Sequence, residues 1–313
     1  MENNPDNIYD AVILGGGPAG LSAAVYAARK MMKTIIVSGN VGGQVASYYD
    51  IENYLGFSMV EAADLISRFE RHVDKFGLKK AIGAKTVSAE LDGPVKRLVT
   101  GDGLEFLAHT VIIATGKRPK PLNIPGEQEL TGRGVAYCST CDAPLYSGAD
   151  VAVVGGGNSA LGAVVDLVKV AKSVTLVSLT SLTGDPILVQ KVSLYKNLTI
   201  LIEHETLAVL GSKNGVTGLR IRPQGTDMAR DIAVEGIFIE IGLLPNSELF
   251  RGKIELNLTG EIVVDQKCRT SVKGVFACGD VTDVPYKQVV IAVGEGAKAA
   301  IAAHEYLVID HNY

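Results

Sequence analysis

Apolar and polar positions repeat one pattern twice along the chain. The segment AVILGGGPAGLSAAVYAARK begins with an apolar strand, Ala11 to Leu14, which is followed by a glycine turn and an alanine-rich helix. From Val151, VAVVGGGNSALGAVVDLVKVAKSVTLVSL repeats strand, turn and helix and adds a further strand, Val174 to Leu179. Two such βα units predict an α/β fold with two Rossmann-like nucleotide-binding domains, each a parallel sheet wrapped by helices.

Proline and glycine positions predict where the chain passes between these domains. VIIATGKRPKPLNIPGEQ begins with a strand, Val111 to Ala114, and its three prolines forbid continued regular structure. A second crossing is predicted at GLLPN, Gly242 to Asn246. We therefore expect a second domain, residues 119–244, inserted into a first domain formed by residues 1–118 and 245–313.

The C-terminal segment is predicted to complete the first domain. GVFACGDVTDVPYKQVVIAVGEGAKAAIAAHEYL contains a strand that should end at Gly279-Asp280 and a helix that should start near Gln288. A strand that ends in Gly-Asp places a carboxylate at the carboxyl edge of a sheet, where α/β folds bind ligands.

The composition indicates a globular protein. Hydrophobic residues make up 47% and charged residues 20% of the chain, so large cores can form. Asp166, Lys169 and Lys172 interrupt the longest apolar stretch, and MENNPDNIYD lacks the parts of a signal peptide. A net charge of −4 with mixed signs offers no basic stripe for phosphates. We expect a cytoplasmic protein that binds neither nucleic acid nor a membrane.

Cysteine spacing predicts redox chemistry more than metal binding. Cys138 and Cys141 form a C-x-x-C pair, whereas Cys268 and Cys278 are separate and are interpreted as small buried residues. A structural zinc site needs a second pair of Cys or His ligands at suitable spacing, and the sequence lacks one. We therefore expect no metal site.

The first glycine turn predicts nucleotide binding. Gly15-x-Gly17-x-x-Gly20 follows a strand and opens a helix, where glycines let a pyrophosphate approach the backbone and the helix N-terminus stabilises its charge. The alternative is that these glycines only permit tight packing. The acidic residue that often binds the ribose is absent, because IIVSGN places Ser38 and Asn40 there.

The ordered motifs resemble a known family across nearly the whole chain. GGGPAG, GGQ, ENY, ATG, CSTCD, GGGNSA, CGDV and KQVV occur in the order of low-molecular-weight thioredoxin reductases. The stretch from GIFIEIGLLPN through VPYKQVVIAVGEGAKAA also resembles the flavoprotein part of alkyl hydroperoxide reductase. The resemblance implies an FAD-binding domain, residues 1–118 and 245–313, and an NAD(P)-binding-like domain, residues 119–244, which carries the dithiol. It also implies a homodimer.

By position, the resemblance assigns FAD contacts in both parts of the first domain. The implied cofactor-binding residues are Gly15, Gly17, Pro18, Ala19, Gly43, Gln44, Asn53, Thr115, Gly116, Gly279, Asp280, Gln288 and Val289. The Asp280 carboxylate can accept a hydrogen bond from a ribityl hydroxyl, and backbone N–H groups near Gln288 suit the electron-rich flavin edge. The alternative for Asp280 is a helix cap or turn aspartate.

Cys138, Cys141 and Asp142 are the candidate catalytic residues. A thiolate attacks a disulfide through a mixed disulfide, and a second sulfur in the C-x-x-C pair can resolve it. The resemblance implies that Cys141 is the sulfur nearer the flavin and that Cys138 attacks a thioredoxin-like protein disulfide. Asp142 can act as general acid or base once burial raises its pKa. The alternative is an unrelated buried cysteine pair.

The second glycine turn departs from the family at the nucleotide ribose. NADPH-dependent relatives carry an arginine cluster after the next strand and NADH-dependent ones an acidic residue, whereas this chain has SLTSLTG from Ser178 to Gly184. NAD(P)H use is therefore doubtful. Ferredoxin-dependent thioredoxin reductases, which CDAPLY and GDVTDVPY resemble, imply a ferredoxin-type electron donor. Tyr313, at the end of the chain, is a candidate to stack on the flavin where nicotinamide would otherwise lie.

Several functions remain compatible with these residues. The leading hypothesis is an FAD-dependent thioredoxin-type disulfide reductase with weak or no NAD(P)H use. The alternatives are an ordinary NAD(P)H-dependent reductase for thioredoxin or a peroxiredoxin partner, a flavin redox sensor or electron carrier, and an oxygen-linked dithiol oxidase. Whether a ligand occupies the second nucleotide fold is left open by the sequence.

Overall fold

A computed structural model describes residues 8–47, 50, 51 and 53–310 of the chain. Tyr313 lies outside these described residues. The strands are, in chain order, β1 (Ile8–Gly16), β2 (Thr34–Val41), β3 (Asp50–Ile51), β4 (Val60–Glu61), β5 (Lys79–Ile82), β6 (Thr86–Glu90), β7 (Lys96–Thr100), β8 (Glu105–Ile113), β9 (Lys117–Pro119), β10 (Val135–Ala136), β11 (Asp150–Val154), β12 (Ser173–Val177), β13 (Leu198–Leu201), β14 (His204–Ser212), β15 (Gly215–Pro223), β16 (Arg230–Ile232), β17 (Gly236–Ile239), β18 (Leu243–Pro245) and β19 (Val275–Ala277). The α-helices are α1 (Pro18–Arg29), α2 (Ala62–Asp74), α3 (Glu127–Leu130), α4 (Ser139–Asp142), α5 (Asn158–Leu167), α6 (Pro186–Val192) and α7 (Val289–Asp310).

The described residues divide into two compact units. One unit contains residues 8–47, 51, 53–118 and 244–310, and the other contains residue 50 and residues 119–243. The long second segment is therefore inserted between the two main parts of the first unit. Among the described residues, no helix is long and apolar enough to cross a membrane.

The first unit is built on a mixed sheet in the order β5-β2-β1-β8-β7-β6, with β19 also paired to β8. Strands β5, β2, β1, β8 and β19 pair in parallel, and β6 and β7 form the antiparallel edge. Helices α1 and α7 pack closely against each other, because an added Cβ on Gly296 would lie 2.0 Å from the carbonyl oxygen of Ala19. Small residues therefore set the separation of the two helices beside the first glycine turn.

The second unit has a parallel sheet in the order β10-β17-β11-β12-β13 and a separate antiparallel sheet, β14-β15-β16. Parallel pairs β11–β12 and β11–β17 place Val154, Val177 and Ile239 at one edge of the sheet, next to the second glycine turn. Their side chains are buried, as expected for a parallel sheet that is covered on both faces. Both βα units predicted from the apolar pattern are thus present.

Three local predictions differ from the structure. The last strand of the first unit ends at Ala277 and not at Gly279-Asp280, because Gly279 has φ +72° and begins a 3₁₀ turn. The strand expected over Val174 to Leu179 ends at Val177. The proline-rich crossing is not free of regular structure, since Pro119 ends β9, which pairs with β18. A strand's last residue tolerates proline when its N–H is not needed for pairing.

Candidate active site

Three glycines let the chain turn tightly from β1 into α1. Gly15 has φ +117°, and an added Cβ would lie 2.3 Å from the carbonyl oxygen of Ala114. A Cβ on Gly20 would lie 1.9 Å from the carbonyl oxygen of Gly15, so α1 packs directly on the end of the strand. By contrast, the nearest atom to a Cβ on Gly17 is the Cα of Gly43, 3.8 Å away. Gly17 is therefore the position where the turn remains open to a ligand.

A turn after β2, at Gly43, faces the first glycine turn. Gly43 has φ +57°, and an added Cβ would lie 3.2 Å from the Cα of Gly17. Pro18 and Ala19 begin α1 beside this gap, and proline suits the first helical position because its missing N–H would have no partner there. The N-terminus of α1 attracts negative charge. Five of the predicted cofactor residues therefore form a cradle that fits the pyrophosphate of FAD.

A cavity of about 700 Å³ opens next to this cradle, and Ser38, Asn40, Thr115 and Arg118 are among its lining residues. The N–H of Gly16 donates to the Ser38 hydroxyl over 2.8 Å, and that hydroxyl donates to the carbonyl oxygen of Asn40 over 2.7 Å. The Ser38 hydroxyl thus provides a hydrogen-bond partner for two backbone groups at this strand end. Dinucleotide-binding folds often carry an acidic residue that binds the ribose at the same position. The cavity volume suits one nucleotide half of a cofactor.

Thr115 and Gly116 are held by Asn246, which the sequence reasoning did not select. The Asn246 side chain donates to the carbonyl oxygen of Thr115 over 2.8 Å, and the Thr115 hydroxyl donates to the carbonyl oxygen of Asn246 over 2.8 Å. The Asn246 N–H donates to the carbonyl oxygen of Gly116 over 2.9 Å. These bonds join two segments far apart in the sequence and fix one wall of the cavity.

Four of the remaining predicted cofactor residues meet as two hydrogen-bonded pairs. The Gln44 side-chain amide donates to the Asp280 carboxylate over 3.3 Å, and the Asn53 amide donates to the Gln288 side-chain oxygen over 3.1 Å. Asp280 follows Gly279 in the 3₁₀ turn, and α7 begins at Val289, directly after Gln288. Carboxylate, amide groups and a helix start are suitable partners for ribityl hydroxyls and a flavin edge.

A partly buried charge cluster lies near Asp280 and was missed by the sequence reasoning. Lys117 Nζ donates to Glu261 Oε1, and Lys287 Nζ lies 3.5 Å from the same oxygen. Burial raises the pKa of Glu261, but bonds from Lys117, Asn257 and Thr259 outweigh this and lower the pKa to about 2. Burial raises the pKa of Asp280, which the nearby Lys287 and Lys117 charges oppose. No spacing motif marks this cluster, because Lys117 and Glu261 are 144 residues apart.

The dithiol lies in the second unit, at the start of α4. Cys138 precedes the helix, Cys141 lies within it, and the Asp142 N–H donates to the carbonyl oxygen of Cys138 over 3.1 Å. Both cysteines are half-buried free thiols. A hydrogen bond from the Cys141 thiol lowers the pKa of Cys138, while the same bond and burial raise the pKa of Cys141. Cys138 is therefore the first of the two to ionise, as an attacking thiol must be.

Asp142 is a half-buried carboxyl group beside the two sulfurs. Burial raises its pKa from 3.8 to about 6, so a proton can bind and leave near neutral pH. The Asp142 charge also raises the pKa of both thiols. This environment suits a group that exchanges protons with a thiol.

A second carboxylate, Glu240, lies next to the dithiol and was not predicted. Glu240 follows β17 and accepts a hydrogen bond from the Ser159 hydroxyl and a long one, 3.4 Å, from the Ser139 N–H. Ser139 Oγ in turn lies 3.4 Å from Asp166 Oδ2. Because residues 139 and 240 are 101 positions apart, only the folded chain brings them together.

The second glycine turn is covered by the uncharged segment that follows β12. The Thr183 N–H donates to the carbonyl oxygen of Gly156 over 2.8 Å, and an added Cβ on Gly156 would lie 2.3 Å from the Ser178 hydroxyl oxygen. Ser178 is only 2% exposed. The Asp185 N–H donates to the Asn158 side chain over 2.7 Å. The segment from Ser178 to Gly184 thus presents neither a guanidinium nor a carboxylate at the strand end.

Cys268 and Cys278 belong to the core of the first unit, among residues of its sheet and of helices α1 and α7. Burial raises the pKa of Cys268 to about 12, and the Cys268 thiol donates to Glu295 Oε2 over 3.2 Å. Burial also raises the pKa of Cys278 well above its usual value. Neither thiol is therefore suited to act as a nucleophile. In the part of the chain that the structure describes, no group of three or more metal-ligating side chains could hold an ion.

Comparison with known proteins identifies the family. Residues 9–296 match the model of the family described as pyridine nucleotide-disulphide oxidoreductase. The chain is similar to the F subunit of alkyl hydroperoxide reductase from Pseudomonas putida, 44% identical over 308 residues that cover 97% of this chain and 59% of the relative. It is 40% identical over 311 residues to the equivalent protein of Escherichia coli K12, covering 98% of this chain and 60% of that protein. The chain thus spans about three fifths of the length of these relatives.

Solved thioredoxin reductases share the fold. The enzyme from Streptococcus pyogenes MGAS5005 superposes with a TM-score of 0.88 at 34% identity, covering 96% of this chain and 99% of that one. The Giardia duodenalis enzyme gives a TM-score of 0.87 at 29% identity, covering 97% and 100%. These likenesses confirm the fold class of two Rossmann-like domains. They also confirm the resemblance to thioredoxin reductases and to the flavoprotein part of alkyl hydroperoxide reductase. By this match over most of its length and by its likeness to thioredoxin reductases, the chain belongs to the pyridine nucleotide-disulphide oxidoreductase family.

Proposed function

We propose that the chain reduces a protein disulfide through Cys138 and Cys141, with FAD held by the residues of the first unit. FAD, when bound, supplies the electron pair that converts the Cys138–Cys141 disulfide into two thiols. The observation that carries the proposal is the half-buried thiol pair with Asp142 beside it, in which Cys138 has the lower pKa. A structural cysteine pair would have no need of a neighbouring carboxyl group whose pKa is raised to about 6.

The proposed exchange balances electrons and protons on these three side chains. The Cys138 thiolate attacks one sulfur of the partner's disulfide and forms a mixed disulfide with it. The partner's S–S bond breaks, and its other sulfur leaves as a thiolate that takes a proton from the protonated Asp142 carboxyl group. The Asp142 carboxylate then accepts the proton of the Cys141 thiol. The Cys141 thiolate attacks the Cys138 sulfur, so that the Cys138–Cys141 disulfide forms again and the partner leaves with two reduced sulfurs.

Substitution of Cys138 tests this proposal. With the flavin reduced chemically by dithionite, wild-type protein should reduce a thioredoxin disulfide, whereas Cys138→Ser should lose this activity and keep its bound FAD. Cys268→Ala, a buried cysteine outside the dithiol, should retain activity as the matched control. Full activity of the Cys138→Ser protein would remove the dithiol from the mechanism.

We propose a thioredoxin-like protein as the partner, because a half-buried thiol pair needs a disulfide that a small protein can present. The names of the relatives also support a protein disulfide partner. A homodimer and a cytoplasmic location belong to the same proposal. The first rests on the family likeness, and the second rests on the need for a reducing compartment to keep the dithiol supplied with electrons.

We further propose that NADPH and NADH are poor donors and that a ferredoxin-type iron-sulfur protein supplies the electrons. The segment from Ser178 to Gly184 carries no charged side chain, so a 2′-phosphate or ribose diol would lose its charge-assisted hydrogen bonds. Each such bond contributes roughly 1.5–3 kcal/mol, so losing two weakens binding by about two to four orders of magnitude. Equilibrium dialysis should find dissociation constants for both nucleotides in the millimolar range or weaker.

An ordinary NAD(P)H-dependent reductase of a peroxiredoxin partner is the second candidate. It is favoured by the 44% identity to an alkyl hydroperoxide reductase relative and by the intact Gly155 to Gly157 turn. Gly155 has φ +145°, and an added Cβ would lie 2.3 Å from the carbonyl oxygen of Glu240, so this turn keeps the shape of a dinucleotide fold. Micromolar binding of either nucleotide in the dialysis experiment would favour this candidate over the first.

A further inference from the structure

Glu240 is held in place by the backbone of the second unit. Its N–H donates to the carbonyl oxygen of Val154 over 2.8 Å, which continues the pairing of β17 with β11. Its own carbonyl oxygen lies where a Cβ on Gly155 would approach to 2.3 Å. The Glu240 backbone is therefore fixed between the strand and the glycine turn, and the side chain starts from a defined position.

The Glu240 side chain connects α5 to the dithiol segment. One carboxylate oxygen accepts from the hydroxyl of Ser159, the second residue of α5, and the other accepts from the N–H of Ser139, which directly follows Cys138. Ser139 is buried. A carboxylate that bridges these two groups limits where the first residues of α4, and with them Cys138, can move.

We propose that Glu240 is a positioning residue of the dithiol chemistry, which holds the Cys138–Ser139 backbone and places a second negative charge beside both thiols. This inference rests on the proposed function of Cys138 and Cys141 as the redox pair. Asp142 supplies a carboxyl group from α4 itself, whereas Glu240 acts from the end of the neighbouring strand.

The charges around Cys138 and Cys141 determine in which direction a substitution of Glu240 should shift the pKa of the Cys138 thiol. Asp142 and Glu240 are the carboxylates whose charges raise the pKa of both thiols. Asp166 on α5 and Tyr146 after α4 are further ionisable groups at this site. Burial raises the pKa of Glu240, the hydrogen bonds from Ser159 and Ser139 oppose this, and the Asp166 charge adds to it. Burial and, to a smaller extent, the Asp142 charge raise the pKa of Tyr146. Removing the Glu240 charge should therefore make the Cys138 thiol more acidic.

Removing the Glu240 charge should change the alkylation rate of Cys138 in two opposite ways. A loss of one nearby negative charge should lower the thiol pKa by about one unit. Below the pKa of both proteins, the variant then has about ten times more thiolate, but each thiolate is less nucleophilic, so alkylation is roughly three- to fourfold faster. Above both pKa values the variant is roughly threefold slower, because only the lower nucleophilicity remains.

The test is the pH profile of Cys138 alkylation by iodoacetamide in the reduced, FAD-loaded protein, read by mass spectrometry of the Cys138 peptide. Glu240→Gln should shift the midpoint down by about one pH unit, and its profile should cross that of the wild type. Glu240→Asp keeps the charge and should keep the wild-type midpoint. Glu235→Gln, at the opposite end of the same strand, should leave the profile unchanged.

Two outcomes would overturn the inference. One is a Glu240→Gln profile with the wild-type midpoint, and the other is faster alkylation at every pH, which would indicate only a loosened structure. If Glu240→Gln does not fold, Glu240→Ala provides the same neutral state for the comparison with Glu240→Asp. Because alkylation does not depend on turnover, it is independent of whether Cys138→Ser abolishes disulfide reduction, so a failure of the proposed function is recognised separately.

Discussion

Asp142→Asn should stabilise the folded protein and at the same time slow its disulfide reduction. The Asp142 carboxyl group has its pKa raised from 3.8 to about 6 by burial. A folded pKa above the unfolded one means that ionisation favours the unfolded chain. The contribution of Asp142 to stability is therefore most favourable below about pH 4, and it is lost as the pH rises through about 6, where Asp142 loses its proton.

The free-energy cost of ionising Asp142 in the folded protein follows from the difference between its folded and unfolded pKa values. A rise from 3.8 to about 6 corresponds to about 3 kcal/mol of lost stability at neutral pH. Asp142 is only half-buried, so solvent screening should reduce the measurable part to about 1–2 kcal/mol. For a unit of this size, that difference raises the unfolding midpoint by about 5 °C. Asn has nearly the same shape as Asp and carries no charge, so it should recover most of this stability.

Thermal unfolding followed by circular dichroism measures the prediction. At about pH 7.5, Asp142→Asn should unfold at a higher temperature than the wild type, and at about pH 4 the two midpoints should approach each other. Asp227→Asn, an exposed aspartate in the same unit, serves as the matched control and should leave the midpoint unchanged. Disulfide reduction by Asp142→Asn should fall by about 10²–10⁴-fold, because the proton acceptor is lost.

An Asp142→Asn midpoint that is unchanged or lower at about pH 7.5 would refute the penalty assigned to this buried charge. A stabilisation of equal size at both pH values would refute it too, since that would reflect packing and not ionisation. Unchanged turnover would show that Asp142 does not handle the proton, even if burial raises its pKa.

Other changes give distinct expected results. Gly20→Ala should weaken FAD binding, measured by fluorescence of released flavin, because its Cβ would lie 1.9 Å from the carbonyl oxygen of Gly15. Gly162→Ala, within α5 with no atom near the added Cβ, should instead stabilise the protein by about 0.5–1 kcal/mol in urea unfolding. Glu261→Gln should destabilise the protein at neutral pH, and this loss should vanish as the pH falls from about 4.5 towards 2, because the folded pKa lies below the unfolded one. Cys141→Ser should trap a mixed disulfide between Cys138 and its partner, visible on a non-reducing gel.

The elements around the first glycine turn could be predicted from sequence because their signals are local. Gly15, Gly17 and Gly20 lie within six residues of one another between an apolar strand and a helix, and this spacing is typical of a dinucleotide-binding turn. The second βα unit was equally visible as a repeat of the same pattern at Val151. Strand ends were less accurate: Ala277 ends β19 because Gly279 turns the chain through a positive φ.

The groups that tune the chemistry could not be predicted, because long-range contacts create them. Glu240 reaches the dithiol across 101 residues and Lys117 reaches Glu261 across 144, and neither pair belongs to a motif. An acidic residue after a strand such as IFIEIG is compatible with solvent, a salt bridge or a buried site. Only the parallel pairing of β17 with β11 places Glu240 beside α5 and the cysteines.

Electrons are proposed to enter through the flavin from a donor other than NAD(P)H and to leave through Cys138 and Cys141. Anaerobic stopped-flow mixing with NADPH, NADH or reduced ferredoxin, followed by acid quenching and thiol mass spectrometry, measures both halves of this route at once. We expect ferredoxin to bleach the flavin and convert both cysteines to thiols, while both nucleotides act slowly. Rapid stoichiometric bleaching by micromolar NADPH, or a bleached flavin with Cys138 and Cys141 still oxidised, would show that the proposed route is wrong.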